Sequence, residues 1–214
     1  GSGGAGMGVP RDARIGRVPA PPIGAVTAVA DPPSILERIV GPGRDGLPLS
    51  IPFLPSMVGA LAQASHTPIG IETTAMERGI LQTYPPITVT GMRLRDALSA
   101  LAGTDPRYEW REMDGVIVFR PVQAWLDGSD PLFLPVKPVQ LHRASLSAVF
   151  DVIRSALGAS PPTRSLIADS RRISIDIPGG SALDLLNAAA KSHGQLWWHF
   201  EEMSKSDQRT FGGL

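Results

Sequence analysis

ITVTGMRLRDALSALAGTDPRYEWREMDGVIVFRP, residues 87–121, alternates, then turns helical, then alternates again. Ile87 and Val89 fall on one side of an extended segment and Thr88 and Thr90 on the other, the pattern of a half-buried strand. Gly91 supplies a turn. Met92, Leu94, Ala97, Leu98 and Leu101 then recur at helical spacing, with Arg93, Arg95, Asp96 and Ser99 outward. Gly103 is the expected end of that helix, because glycine accepts the left-handed closing residue. Tyr108, Trp110 and Glu112 share one face of the next strand, and Glu109 and Arg111 the other. Asp114-Gly115 is a two-residue hairpin signal, after which Val116, Val118 and Arg120 alternate against Ile117 and Phe119.

A degraded copy of the first three elements follows at residues 175–200, IDIPGGSALDLLNAAAKSHGQLWWHF, offset by 88 residues, the separation of Ile175 from Ile87. The register pairs Val89 with Ile177, Gly91 with Gly179, Asp96 with Asp184, Leu98 with Leu186 and Trp110 with Trp198. Self-similarity of this kind implies two copies of one unit. Working outward, SILERIV reads as a short helix capped by Ser34 and Glu37, and LPLSI as a strand. Met57, Val58, Leu61 and Ala64 mark a helix, and Ile69 and Ile71 a strand. The second unit opens with PVQLHR as a strand. Its first helix is capped by Ser145, with a stripe of Leu146, Val149, Phe150, Ile153 and Leu157. Ser181 and Asp184 stand at capping-box spacing before the second.

The fold expected is α+β, two tandem small domains of β-α-β/β-α-β order, each with two helices on one small sheet. Residues 1–32 read as a Pro/Gly-rich leader or linker, with GSGG a cloning remnant. Residues 33–122 are the first domain, 123–134 a linker, 135–203 the second domain and 204–214 a tail. The other face of each sheet must then be solvated or covered by a partner.

Composition limits the function. The hydrophobic fraction of 43% suffices for real cores, and Gly (23) and Pro (21) imply many turns. With formal net charge zero, no global field draws in nucleic acid or an anionic membrane. No apolar run is long enough to span a bilayer. The absence of Cys removes disulfides, thiolate nucleophiles and Cys-based zinc sites. The opening GSGGAGMGVP lacks the charged-then-apolar order of a signal peptide.

No catalytic constellation stands out. His66, His142, His193 and His199 lack ligand spacing, so no metal or cofactor is expected, and His193 suits the C-terminal end of a helix dipole. There is no G-x-S-x-G elbow. GPGRDG and IPGG lack phosphate-loop spacing and read as turns. The aromatics say more. Trp198 and Trp110 are expected inside, and Trp197, on the opposite face of its strand, exposed or at an interface. Trp197, His199, Trp125 and Arg111 are the candidate protein-interaction residues.

At residues 87–121 the pattern resembles the short domain at the N-termini of secretins and TonB-dependent transducers (the STN-like fold), and the C-terminal domain of some FecR-type regulators. The likeness rests on Ile87, Val89, Gly91, Leu94, Ala97, Leu98, Leu101, Tyr108, Val116 and Val118. It covers about residues 50–121, with a fainter copy over 139–200. It implies a non-enzymatic, periplasmic or cell-envelope module that binds another envelope protein, with strand addition at an open sheet edge as a docking mode. The family has no shared catalytic residues to carry over. The alternatives are a small-ligand binder or enzyme with its site in the interdomain cleft, near His142, Arg143 or Glu112, and a piece of a larger oligomer marked by self-association.

Overall fold

The computed structural model describes residues 34–52, 54–74, 86–158, 170–194, 197–202 and 210–212. The first half runs β1 (Ser50–Ile51), α1 (Leu54–Ser65), β2 (Ile69–Thr74), β3 (Ile87–Thr88), α2 (Leu94–Thr104), β4 (Tyr108–Met113) and β5 (Val116–Pro121). After α3 (Val122–Leu126) come β6 (Pro135–Val136), β7 (Val139–Ser145), α4 (Leu146–Ala156), β8 (Arg172–Ile177), β9 (Gly180–Ser181), α5 (Ala182–His193), β10 (Trp197–Glu202) and β11 (Thr210–Gly212). The class is α+β. No helix among the described residues is long and apolar enough to cross a membrane.

Local chemistry sets these elements. Asp114 and Gly115 both take positive φ (51° and 84°), the two-residue turn whose twist matches a hairpin. β4 and β5 are therefore antiparallel, with Trp110 opposite Phe119. Gly91 turns at φ 85° before α2. Ser145 caps α4, and Ser181 with Asp184 forms a complete capping box on α5. Two expectations shift. The Ser34 cap closes only a 3-10 turn, Ile35–Glu37, and α2 runs past Gly103 to Thr104.

Among the described residues the main sheet has five strands in the order β11-β10-β2-β5-β4. β10 and β5 both run parallel to β2, and β4 and β11 are antiparallel at the margins. The sequence reading of one sheet per unit is corrected here. The closing strand of the second unit, β10, hydrogen-bonds to β2 of the first, while β7 pairs with β8 in a separate two-stranded antiparallel sheet.

The reason lies in how strands shed apolar surface. Ile69, Ile71, Ile117 and Phe119 point to one face and pack with Val58 and Leu61 of α1 and Leu94, Leu98 and Leu101 of α2. Val116, Val118, Trp198 and Phe200 point to the other and pack with Val149, Phe150 and Ile153 of α4 and Leu183 and Leu186 of α5. Each half thus covers the sheet face that the other would leave wet. The stretch 123–134, read as a linker, is folded against this second core. It contains most of α3 and a 3-10 turn, Pro131–Phe133, whose Leu132 is fully buried.

Trp198 is buried as expected, and its indole lies across Gly70, its register partner on β2. A methyl group at position 70 would overlap the ring. The indole Nε1 donates to Asn187 Oδ1 of α5 at 3.2 Å. Two outcomes follow for urea unfolding: Trp198→Ala loses about 3–5 kcal/mol, and Gly70→Ala loses about 1–3 kcal/mol because the ring must move. Wild-type midpoints for either variant would remove Trp198 from its seat.

Candidate functional site: the Trp197 cleft and the buried Arg120 cluster

The cleft begins with the two small residues Gly59 and Ala60 on α1. Trp197 lies at the start of β10, on the face opposite Trp198, and its indole settles on Gly59. A Cβ there would lie 2.6 Å from the indole Nε1. Trp197 is thus half-buried rather than exposed, because the α1 surface beneath it has no side chain to hold it off. One edge of the ring lines a surface cavity of about 710 Å³.

The far wall of the cavity is the GPGRDG turn, fixed to the end of α1. Gly41 N donates to Ala64 O at 2.7 Å, Gly43 N to Leu47 O at 2.8 Å, and Arg44 Nε to Gln63 Oε1 at 2.6 Å. Asp45 Oδ1 accepts from Leu47 N at 3.0 Å, closing the turn. Below it, Arg38 donates to the His66 carbonyl and to Thr67 Oγ1, and His66 itself takes φ 50°. The floor is apolar, from Leu49, Met57, Ala60, Ala64 and Trp197, and the rim carries Arg44, Asp45, Gln63 and His66. The cleft offers apolar contact below and directed hydrogen bonds above. Among the described residues no group of three or more His, Asp or Glu is placed to hold a metal ion.

The other candidates separate into two places. His199 follows Trp197 on the same strand face, where its Nε2 and Thr73 Oγ1 are 2.7 Å apart. Arg111 and Trp125 meet on the opposite face, with the guanidinium carbon 4.3 Å from the ring centre. The indole Nε1 of Trp125 donates to Glu109 O at 3.4 Å. His142 and Arg143 are exposed at a bulge of β7, Glu112 is exposed on β4, and none of the three lines the cleft.

The sequence reading passed over a buried charged cluster. Arg120, fully buried on β5, donates through Nε to Glu72 Oε2 and through Nη2 to Asp130 Oδ1, both at 2.5 Å. Its guanidinium stacks on Phe133 (4.3 Å) and Trp125 (4.9 Å), and Nη1 has no hydrogen-bond partner among the described residues. Asp130 Oδ1 also caps the 3-10 turn by accepting from Leu132 N at 2.8 Å. The signal was present in the alternation, since Arg120 shares a strand face with buried Val116 and Val118. A charge in such a position requires partners. Which partners, no local pattern could say.

Two carboxylates here share one guanidinium. Burial, followed by the charge of Asp130, outweighs Arg120 and pushes the Glu72 carboxyl up to about 8. A proton held on Glu72 lessens the negative charge set against the single guanidinium. Compared with known protein families, curated proteins and solved structures, the chain matches none.

The cluster ties stability to pH. Between the ordinary Glu value of 4.5 and about 8 the folded chain keeps a proton that the unfolded chain has released, so stability falls as pH rises through that window. Chemical denaturation from pH 4.5 to 8 should show this decline, and Glu72→Gln should reduce it. An unchanged slope in Glu72→Gln would mean that Glu72 is ionised when folded.

Proposed function

We propose that this chain is a non-catalytic protein-interaction module of the cell envelope, which seats an apolar segment of a partner protein in the cleft beside Trp197. The observation that carries this reading is the make-up of the cleft. A half-buried indole rests on glycine, the floor is apolar, and the hydrogen-bonding rim is fixed by backbone bonds to α1. A tryptophan held in place before the partner arrives loses little side-chain freedom on binding, which is why such residues anchor interfaces. The envelope assignment draws on the likeness of residues 50–121 to the short domains of secretins and TonB-dependent transducers, which act by contacting other proteins.

A second reading, a small-molecule site, is favoured by the cavity volume. At about 710 Å³ it lies inside the range of roughly 300–1,000 Å³ for small-ligand pockets. Its position differs from that expected for a ligand site near His142, Arg143 or Glu112.

Immobilised wild-type chain should retain an envelope protein that Trp197→Ala does not, with Arg44→Ala intermediate. Because half of the indole is packed, Trp197→Ala costs about 1–2 kcal/mol of stability, so capture is compared where circular dichroism finds both chains folded. Equal retention by wild type and Trp197→Ala overturns the protein-docking reading. No protein retained, with a small-molecule thermal shift lost in Trp197→Ala, favours the second reading.

A further inference from the structure

β4 forms one margin of the main sheet, and no strand pairs with its outer side among the described residues. A two-residue hairpin turn makes its flanking residues, Met113 and Val116, exchange both backbone bonds, and this role recurs at every second residue along the pair. The N–H and C=O groups of Trp110 and Glu112 therefore face away from β5. An edge of this kind is a template for another chain unless its side chains forbid it.

The side chains of YEWREM forbid most partners and suit one. Lay two copies of β4 antiparallel about a two-fold axis through Trp110. Glu109 of each copy then stands opposite Arg111 of the other, on one face, twice. Trp110 meets Trp110, and Glu112 stands opposite Tyr108. Shifting the axis to Arg111 sets Arg111 against itself, and shifting it to Glu109 sets Glu109 against itself. Like charges directly opposite are destabilising. Within one chain Glu109 and Arg111 bond to each other at 2.9 Å with nearly half of each side chain exposed, a weak pair that is readily redirected.

The geometry points to a symmetric dimer of this chain, formed by antiparallel β4–β4 pairing centred on Trp110 and joining the two sheets into one. A two-fold axis makes one patch serve both sides, so each favourable charge pair occurs twice. β4 and the Trp197-bearing β10 are separated in the sheet by β2 and β5, so the dimer is independent of the cleft.

Sedimentation velocity on the full chain over a concentration series tests this. Wild type should dimerise. Arg111→Glu and Glu109→Arg should each raise the dimer dissociation constant at least about tenfold. An equimolar mixture of these two variants should form a 1:1 heterodimer, because each supplies the charges that the other lacks. Nearly half of each side chain is exposed, so thermal unfolding of each variant should stay near wild type. A wild type that remains monomeric to millimolar concentration overturns the proposal. So do variants that self-associate like wild type, or a mixture that stays monomeric.

Discussion

The seat of Trp198 on Gly70 is the contact on which both cores depend. Side by side in the sheet, β10 and β2 can bring a full indole against the strand only where the neighbouring residue has no side chain. With the ring there, Trp198 reaches Asn187 and joins α4 and α5 to the sheet on one face. Trp197, one residue earlier, is by the same alternation sent to the opposite face and onto α1. One strand thus supplies an aromatic to each core. Losing its register would expose both.

The Arg120 cluster works differently. Taking charged groups out of water is costly, and apolar replacements often do as well or better for stability. What the triad supplies is position. Its three members come from β2, β5 and the 127–134 connection, and each is far worse off without the others. The cluster holds the connection, with Leu132 and Phe133, against the second core, and holds the ends of two parallel strands together. Retaining a proton on Glu72 lessens the negative charge that the single guanidinium must offset.

The surfaces left over follow from these interior constraints. Small residues on α1 admit Trp197 and leave a cleft at its edge, while the sheet ends at β4 with backbone groups unpaired by the described residues. Apolar floor plus fixed polar rim suits the capture of a segment. A self-complementary charge pattern on an edge suits a second copy. The two sites use different chemistry on different strands.

The sequence alone determined the local elements and which residues turn inward, because helix period, strand alternation, caps and the Asp114-Gly115 turn are written in neighbouring residues. Its repeat also placed α2 with α5 and β4 with β10. The partner of β10 was not decided there. An isolated strand with apolar residues on both faces, as in Trp197, Trp198 and Phe200, announces burial on two sides but not by what. Nor could the text pair Glu72, Arg120 and Asp130, since 48 residues separate the first two. Those pairings were decided by the tertiary structure, because covering both faces of a sheet and neutralising a buried charge are satisfied only by residues distant in the chain.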